Sequence, residues 1–131
     1  MNCYCCSGKT FEACCKRLIA GEAKAATAEE LMRSRYSAYA AVRVAYLMKT
    51  THPSVRAAHN AKEIERWAKS CSWNGLEIVS TEMGGAADII GTVEFKAMYQ
   101  DLSGRRLVHH ESSKFVKDGG QWFFVTGVVA D

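Results

Sequence analysis

The chain has 131 residues, 48% of them hydrophobic, and a formal net charge of +3 from 17 Lys+Arg against 14 Asp+Glu. One compact domain that removes roughly two-thirds of its unfolded surface from water fits this length, so disordered and fibrous classes are excluded. The charge is too small to announce a nucleic-acid partner, no apolar run approaches the roughly 20 residues of a membrane span, and no signal-like start occurs; the expectation is a soluble, cytoplasmic protein.

Five of the six cysteines, Cys3, Cys5, Cys6, Cys14 and Cys15, fall in the first 15 residues, and Cys71 stands apart. A secreted disulfide domain spreads its cysteines to staple distant loops, so this clustering indicates a site instead. Cys3, Cys5, Cys14 and Cys15 supply the four thiolates of a closed tetrahedral zinc shell. The linker turns at Ser7-Gly8 and then reads as a short helix, Phe11 to Ala20, closed by Gly21. Cys14 and Cys15 lie in its first turns, where free N–H groups favour thiolate.

Cys3-Tyr-Cys5-Cys6-Ser7-Gly8 followed by Cys14-Cys15 resembles the SEC-C motif, a small zinc-binding module with the pattern C-x-C-G-S-G and a terminal Cys-Cys or Cys-His pair. Cys6 stands where that motif has glycine; if the position holds a positive φ, its Cβ costs something like 1 kcal/mol. Lys9, Lys16, Arg17 and Lys24 against Glu12 and Glu22 leave residues 1–26 with a positive balance, which offsets the negative charge of four thiolates around Zn²⁺. The resemblance also implies a protein-recognition surface beside the metal, for which Lys9, Phe11, Lys16 and Arg17 are candidates.

Thr27-Ala28-Glu29-Glu30 is a capping box opening a helix that should run to about Met48, with Leu31, Met32, Tyr39, Val42 and Tyr46 as its apolar stripe. Arg35 falls inside that stripe. His52-Pro53 stops the segment, His52 making a helix-end contact, and Asn60-Ala61-Lys62-Glu63 caps a further helix through Ile64 and Trp67 to about Cys71. His59 reads as a solvated loop residue and Cys71 as a small core residue. From Trp73 the period changes to two, giving strands over Leu76 to Glu82, Asp88 to Gln100, Arg105 to Lys117 and Gln121 to Ala130, with Asp118-Gly119-Gly120 a hairpin signal.

Helices followed by antiparallel strands give an α+β fold, and this order resembles the NTF2-like cone, in which helices pack into the concave side of a curved antiparallel sheet around an internal pocket. Leu31-Met32-Arg33-Ser34-Arg35-Tyr36-Ser37-Ala38-Tyr39, Thr50-Thr51-His52-Pro53, Gly91-Thr92-Val93-Glu94-Phe95 and Gln121-Trp122-Phe123-Phe124-Val125 with Gly127 are similar to the YchJ family of bacterial proteins. That resemblance implies a SEC-C-like zinc module over residues 1–26 and an NTF2-like domain over 27–131, and it brings no reaction, the family being uncharacterised.

The alternation of the third strand places Leu107, His109, Glu111, Ser113 and Phe115 on one face, taken as inward because of Phe115. A buried Arg35 requires a negative partner. Either Glu111, or failing it Glu94, forms a fixed pair with Arg35, or Arg35 anchors a small anionic ligand in a pocket shaped by Tyr39, Trp67, His109 and Glu111. The leading function class is a non-catalytic adaptor or binding protein with a protein partner at the zinc module; a small metal-independent hydrolase, isomerase or dehydratase working in the cone is the alternative. Four thiolates leave zinc no open position for catalysis. An exposed curved sheet also suits a homodimer. The metal module is expected to be separable in stability from the cone.

Overall fold

The computed structural model describes residues 1–130. In chain order its elements are α1 (Cys15–Ile19), α2 (Ala28–Ala40), α3 (Val44–Lys49), α4 (Pro53–Arg56), α5 (Ala61–Ser70), β1 (Ser72–Met83), β2 (Ile90–Gln100), β3 (Arg106–Asp118) and β4 (Gln121–Val129). The strands form one antiparallel meander in the order β1-β2-β3-β4. Register shifts at Trp73/Gly75, Ile78/Ser80 and Lys114/Phe115 are the bulges that curve such a sheet. Among the described residues no helix is long and apolar enough to cross a membrane.

Alternation decides which face of the sheet is covered. Gly91, Val93, Phe95 and Ala97 of β2 are buried while the residues between them are not, and α2 lies on that face with Leu31, Met32 and Tyr36. The start of α2 is tied down twice. The Thr27 hydroxyl accepts from the Glu30 N–H at 3.1 Å, and the Ala28 N–H donates to the Gly84 carbonyl at 2.9 Å. This contact needs two glycines: a Cβ on Gly91 would sit 2.5 Å from the Gly84 Cα and 3.1 Å from the Ala28 Cβ. Trp122, 1% exposed, donates its indole N–H to the Ala26 carbonyl at 3.3 Å, fastening β4 to the connector before α2. Truncating a tryptophan buried this completely costs about 3–5 kcal/mol.

One long helix to Met48 is not what forms. The chain leaves the helix after Ala40 and re-enters at Val44, with Val42 at φ +55° and the Arg43 N–H reaching back to the Ala38 carbonyl at 2.7 Å. That bond closes a Schellman-type end in which Val42 takes the left-handed seat usually given to glycine. Val42 therefore drops out of the apolar stripe, and α3 turns across the end of α2. The helix expected from Phe11 is likewise shorter, a turn over residues 11–14 leading into α1. Cys71 is half-buried and no core residue.

The N-terminal segment has no core of its own. Cys3, Cys5 and Cys15 belong to the same buried cluster as Leu31, Met32, Tyr36, Leu76 and Phe95, so the expected separability gives way to a shared interior. A segment of this size with few large apolar side chains gains little by burying only itself.

Candidate functional site: a four-cysteine cluster and a ring-lined cavity

The first turn of the chain is a small hairpin. The Cys3 N–H bonds to the Lys9 carbonyl at 2.9 Å and the Cys6 N–H to the Cys3 carbonyl at 3.2 Å, with a bridge between Asn2 and Thr10. It points Cys3 and Cys5 inward against the start of α1, where Cys14 is the N-cap and Cys15 the first helical residue. The four Sγ atoms all lie within 4.8 Å of one another, with Cys5 and Cys14 at 3.6 Å and Cys14 and Cys15 at 3.8 Å. A tetrahedron with metal–sulfur bonds of about 2.3 Å has edges of about 3.8 Å, so this set fits a metal ion of that size. Cys6 is exposed, at φ +62°, and its thiol bonds to the Tyr4 carbonyl, away from the others.

The surroundings favour negative charge on one of these sulfurs, that of Cys5, and oppose it at Cys14, where burial acts first, and at Cys15. The Cys15 thiol above all, with Ser7, Cys3 and Cys14, hydrogen-bonds to Cys5 and pulls its pKa to about 4 against the effect of burial; the same contact and burial push Cys15 up. Arg33, held by Glu29 at 3.0 Å, donates from Nη1 to the Cys5 carbonyl at 2.7 Å. Ser37 of α2 meets the Cys3 sulfur at 3.6 Å. The cluster is therefore clamped to α2 by two side chains of that helix.

The opposite side of α2 faces a cavity of about 230 Å³ whose lining includes Arg35, Tyr39, Trp67, His109 and Glu111. Arg35 is 7% exposed. The C-terminal end of α3 receives it: Nη1 donates to the Leu47 carbonyl at 2.9 Å and to the Thr50 hydroxyl at 2.7 Å, and the guanidinium lies 4.6 Å over the Phe124 ring. Burial works against its charge, opposed by attraction to Tyr39, Tyr46 and Glu111. Neither carboxylate expected as its partner pairs with it. Glu94 is on the outer side, bonded to His110 at 2.6 Å and Ser80 at 3.2 Å. Glu111 takes the His109 Nε2–H at 2.8 Å on one oxygen and the Ser113 hydroxyl on the other. These two bonds outweigh burial, which alone would raise its pKa, and hold the carboxyl below its ordinary value. The Glu111 side chain lies across β4 at Gly127, where a Cβ would fall onto the carboxylate.

Sequence reasoning missed part of this lining. Trp73, expected at the threshold of the strands, stands inside β1 and packs on Trp67 at 5.2 Å between ring centroids. His59, expected in solvent, is half-buried and meets Phe124 edge-on at 6.0 Å. Phe124 sat in a run of four apolar residues whose alternation cannot be read by eye. His52 does make a helix-end contact, capping the Ser54 N–H with Nδ1 at 3.1 Å while Nε2 meets Asp118 at 2.9 Å.

Residues 27–127 match the family described as YchJ, middle NTF2-like domain. The chain is 49% identical over 125 residues to a UPF0225 protein of Geobacter sulfurreducens, covering 95% of this chain and 77% of the relative. It is 41% identical over 126 residues to a UPF0225 protein of Chromobacterium violaceum, covering 95% and 91%. Its fold is similar to the solution structure of a SEC-C motif containing protein from Rhodopseudomonas palustris, with a TM-score of 0.90 at 38% identity over the whole of both chains. A crystal structure of a SEC-C motif containing protein from Psychrobacter arcticus matches with a TM-score of 0.80 at 35% identity, covering 95% of this chain and 75% of that one.

Proposed function

The chain belongs to the YchJ family, and from that premise we propose that it is a non-catalytic binding protein: one structural Zn²⁺ on Cys3, Cys5, Cys14 and Cys15 fixes its N-terminal segment, and a small anionic ligand sits against Arg35 in the cone. Arg35 carries this reading. Among the described residues no carboxylate comes within the 4.0 Å of an ion pair to it, and its side-chain hydrogen bonds all leave from Nη1. A buried charge left in that state costs several kcal/mol, and an anion gripped by the remaining nitrogens offsets it in the bidentate manner that suits guanidinium.

Soft thiolate ligands in a tetrahedral set favour zinc, and a shell complete with protein sulfur serves structure. His109 and Glu111 converge in the cavity but are hydrogen-bonded to each other, which favours binding over the enzyme alternative. The same reading gives the metal segment a protein partner at its exposed Lys9 and Lys16, and allows self-association through the exposed sheet residues Val79, Val108 and Val128. Native mass spectrometry of the chain purified from its host tests all of this together. The expected spectrum shows one zinc per chain and a retained small anion, the zinc lost in Cys5→Ser and kept in Cys6→Ser, the anion lost in Arg35→Lys. A zinc-loaded chain that retains the same anion in Arg35→Lys refutes the role given to Arg35.

A further inference from the structure

Resting on the reading of Arg35 as an anion anchor, we infer that the cavity takes a dipolar molecule: a flat apolar body with an anionic group at one end and a cationic or hydrogen-bond-donating group at the other, the class of an aromatic amino acid. The cavity has two polar ends of opposite demand. At the α2 end Arg35 offers Nε–H and Nη2–H, which have no partner among the described residues. At the β3 end stand acceptors. Each oxygen of Glu111 accepts one hydrogen bond, leaving lone pairs free on a group that can accept about four. The His109 nitrogen facing that carboxylate, Nε2, must carry the proton, so a neutral His109 presents a bare Nδ1 acceptor with no partner among the described residues.

These ends belong to one cavity and do not satisfy each other, since no ion pair joins Arg35 to Glu111. A simple anion would answer Arg35 and bring negative charge into a space that Glu111 already occupies. A simple cation would answer Glu111 and leave Arg35 as it is. A molecule with both groups answers both. What lies between the ends is aromatic: Trp67 and Trp73 at 5.2 Å, Tyr39 and Trp67 at 5.5 Å, with Phe95 and Phe124 also on the wall. Rings in such edge-on arrangements present faces and edges to a planar guest. The cavity of about 230 Å³ holds about eight waters at ~30 Å³ each, the scale of a single ring with two short polar substituents.

The experiment compares three probes on the full zinc-loaded chain: L-phenylalanine, 3-phenylpropionate and 2-phenylethylamine, which share the ring and differ in their ends. Binding is followed by tryptophan fluorescence and by amide chemical shifts of α2, β3 and β4. The expected result is saturable binding of L-phenylalanine about tenfold or more tighter than either single-ended probe, the factor that corresponds to about 1.4 kcal/mol. Glu111→Gln should erase the preference over 3-phenylpropionate while leaving that acid's own affinity in place. Should 3-phenylpropionate bind the wild type as tightly as L-phenylalanine, the dipolar inference falls and the anion anchor stands. If 2-phenylethylamine binds as tightly as L-phenylalanine, or if none of the three saturates at millimolar concentration, the anchor falls with it. The wild-type comparison decides the matter even if a variant fails to fold.

Discussion

Cys6 occupies a seat that its backbone would rather give to glycine, and replacing it should stabilise the protein without touching the metal. Its φ is +62°, where the Cβ of an L-residue costs roughly 1–2 kcal/mol. Glycine relieves that strain and returns about 0.5–1 kcal/mol through the greater freedom of the unfolded chain. The thiol itself gives up little, because it is exposed, bonds weakly to the Tyr4 carbonyl at 3.7 Å and otherwise only approaches the backbone near Gly75. The net expectation for Cys6→Gly is a gain of about 0.5–1 kcal/mol, a rise of roughly 2–4 °C in Tm for a chain of this length. Scanning calorimetry on zinc-loaded wild type and variant, with metal content measured on the same samples, reads both quantities. A lowered Tm would mean that the side chain holds the hairpin together. A loss of metal would mean that Cys6 is a ligand, and the four-sulfur assignment would fail.

Stripping the metal with a chelator should lower the Tm of the whole chain and move amide signals of α2 and β2 as well as the first 26 residues, because Cys3, Cys5 and Cys15 share a core with Leu31 and Phe95; at free zinc a thousandfold above Kd the stability withdrawn is about 4 kcal/mol. Unchanged spectra over residues 27–127 would restore the independence of the two parts. Gly127→Ala should cost about 1–3 kcal/mol in urea denaturation by forcing the Glu111 carboxylate aside, and the cost should shrink in a Glu111→Ala background; equal costs in both would show that the two do not touch. Because hydrogen bonds from His109 and Ser113 hold the Glu111 pKa down against burial, its contribution is full above the unfolded value of about 4.3 and fades as pH falls through the lower folded value. Wild type and Glu111→Gln should therefore differ at neutral pH and converge as the carboxylate is protonated in acid, and a gap that stays constant would refute the bonding assigned to Glu111.

Features legible in the sequence are those whose cause is local. The metal-ligand candidates are close in the chain, so spacing alone picks out the four sulfurs that the fold gathers within 4.8 Å of one another, and the hairpin at Gly119-Gly120 follows from two positive φ angles. Alternation placed His109 and Glu111 on the cavity side of β3. The elbow at Val42 left no such mark, because a β-branched residue in the left-handed region contradicts local preference and is held there by the packing of α2 and α3. Once the elbow is missed, so is the fate of Arg35, whose partners Leu47 and Thr50 lie at the C-terminal end of α3, the helix that the elbow turns back across α2. Glu111 was a reasonable partner on charge, but Ser113 and His109 on its own strand reach it first. His59 enters the cavity against Phe124, a contact that no window of sequence contains, and Trp73 is placed by Tyr36 and Tyr39 of α2 as much as by nearby Trp67.

The interior shared by the cysteine cluster and the sheet also sets a clock on biosynthesis. All four ligand sulfurs have been made once Cys15 is added, but the side chains that bury them, among them Leu76, Phe95 and Trp122, arrive much later. Roughly a hundred further residues at 5–20 per second means about 5–20 s during which the thiols hang from a nascent chain with no roof above them. Disulfide chemistry reaches into that window from seconds upward. Under the zinc reading proposed above, metal capture by the bare N-terminal segment is the step that would carry these sulfurs intact to the moment when the last strand closes over them.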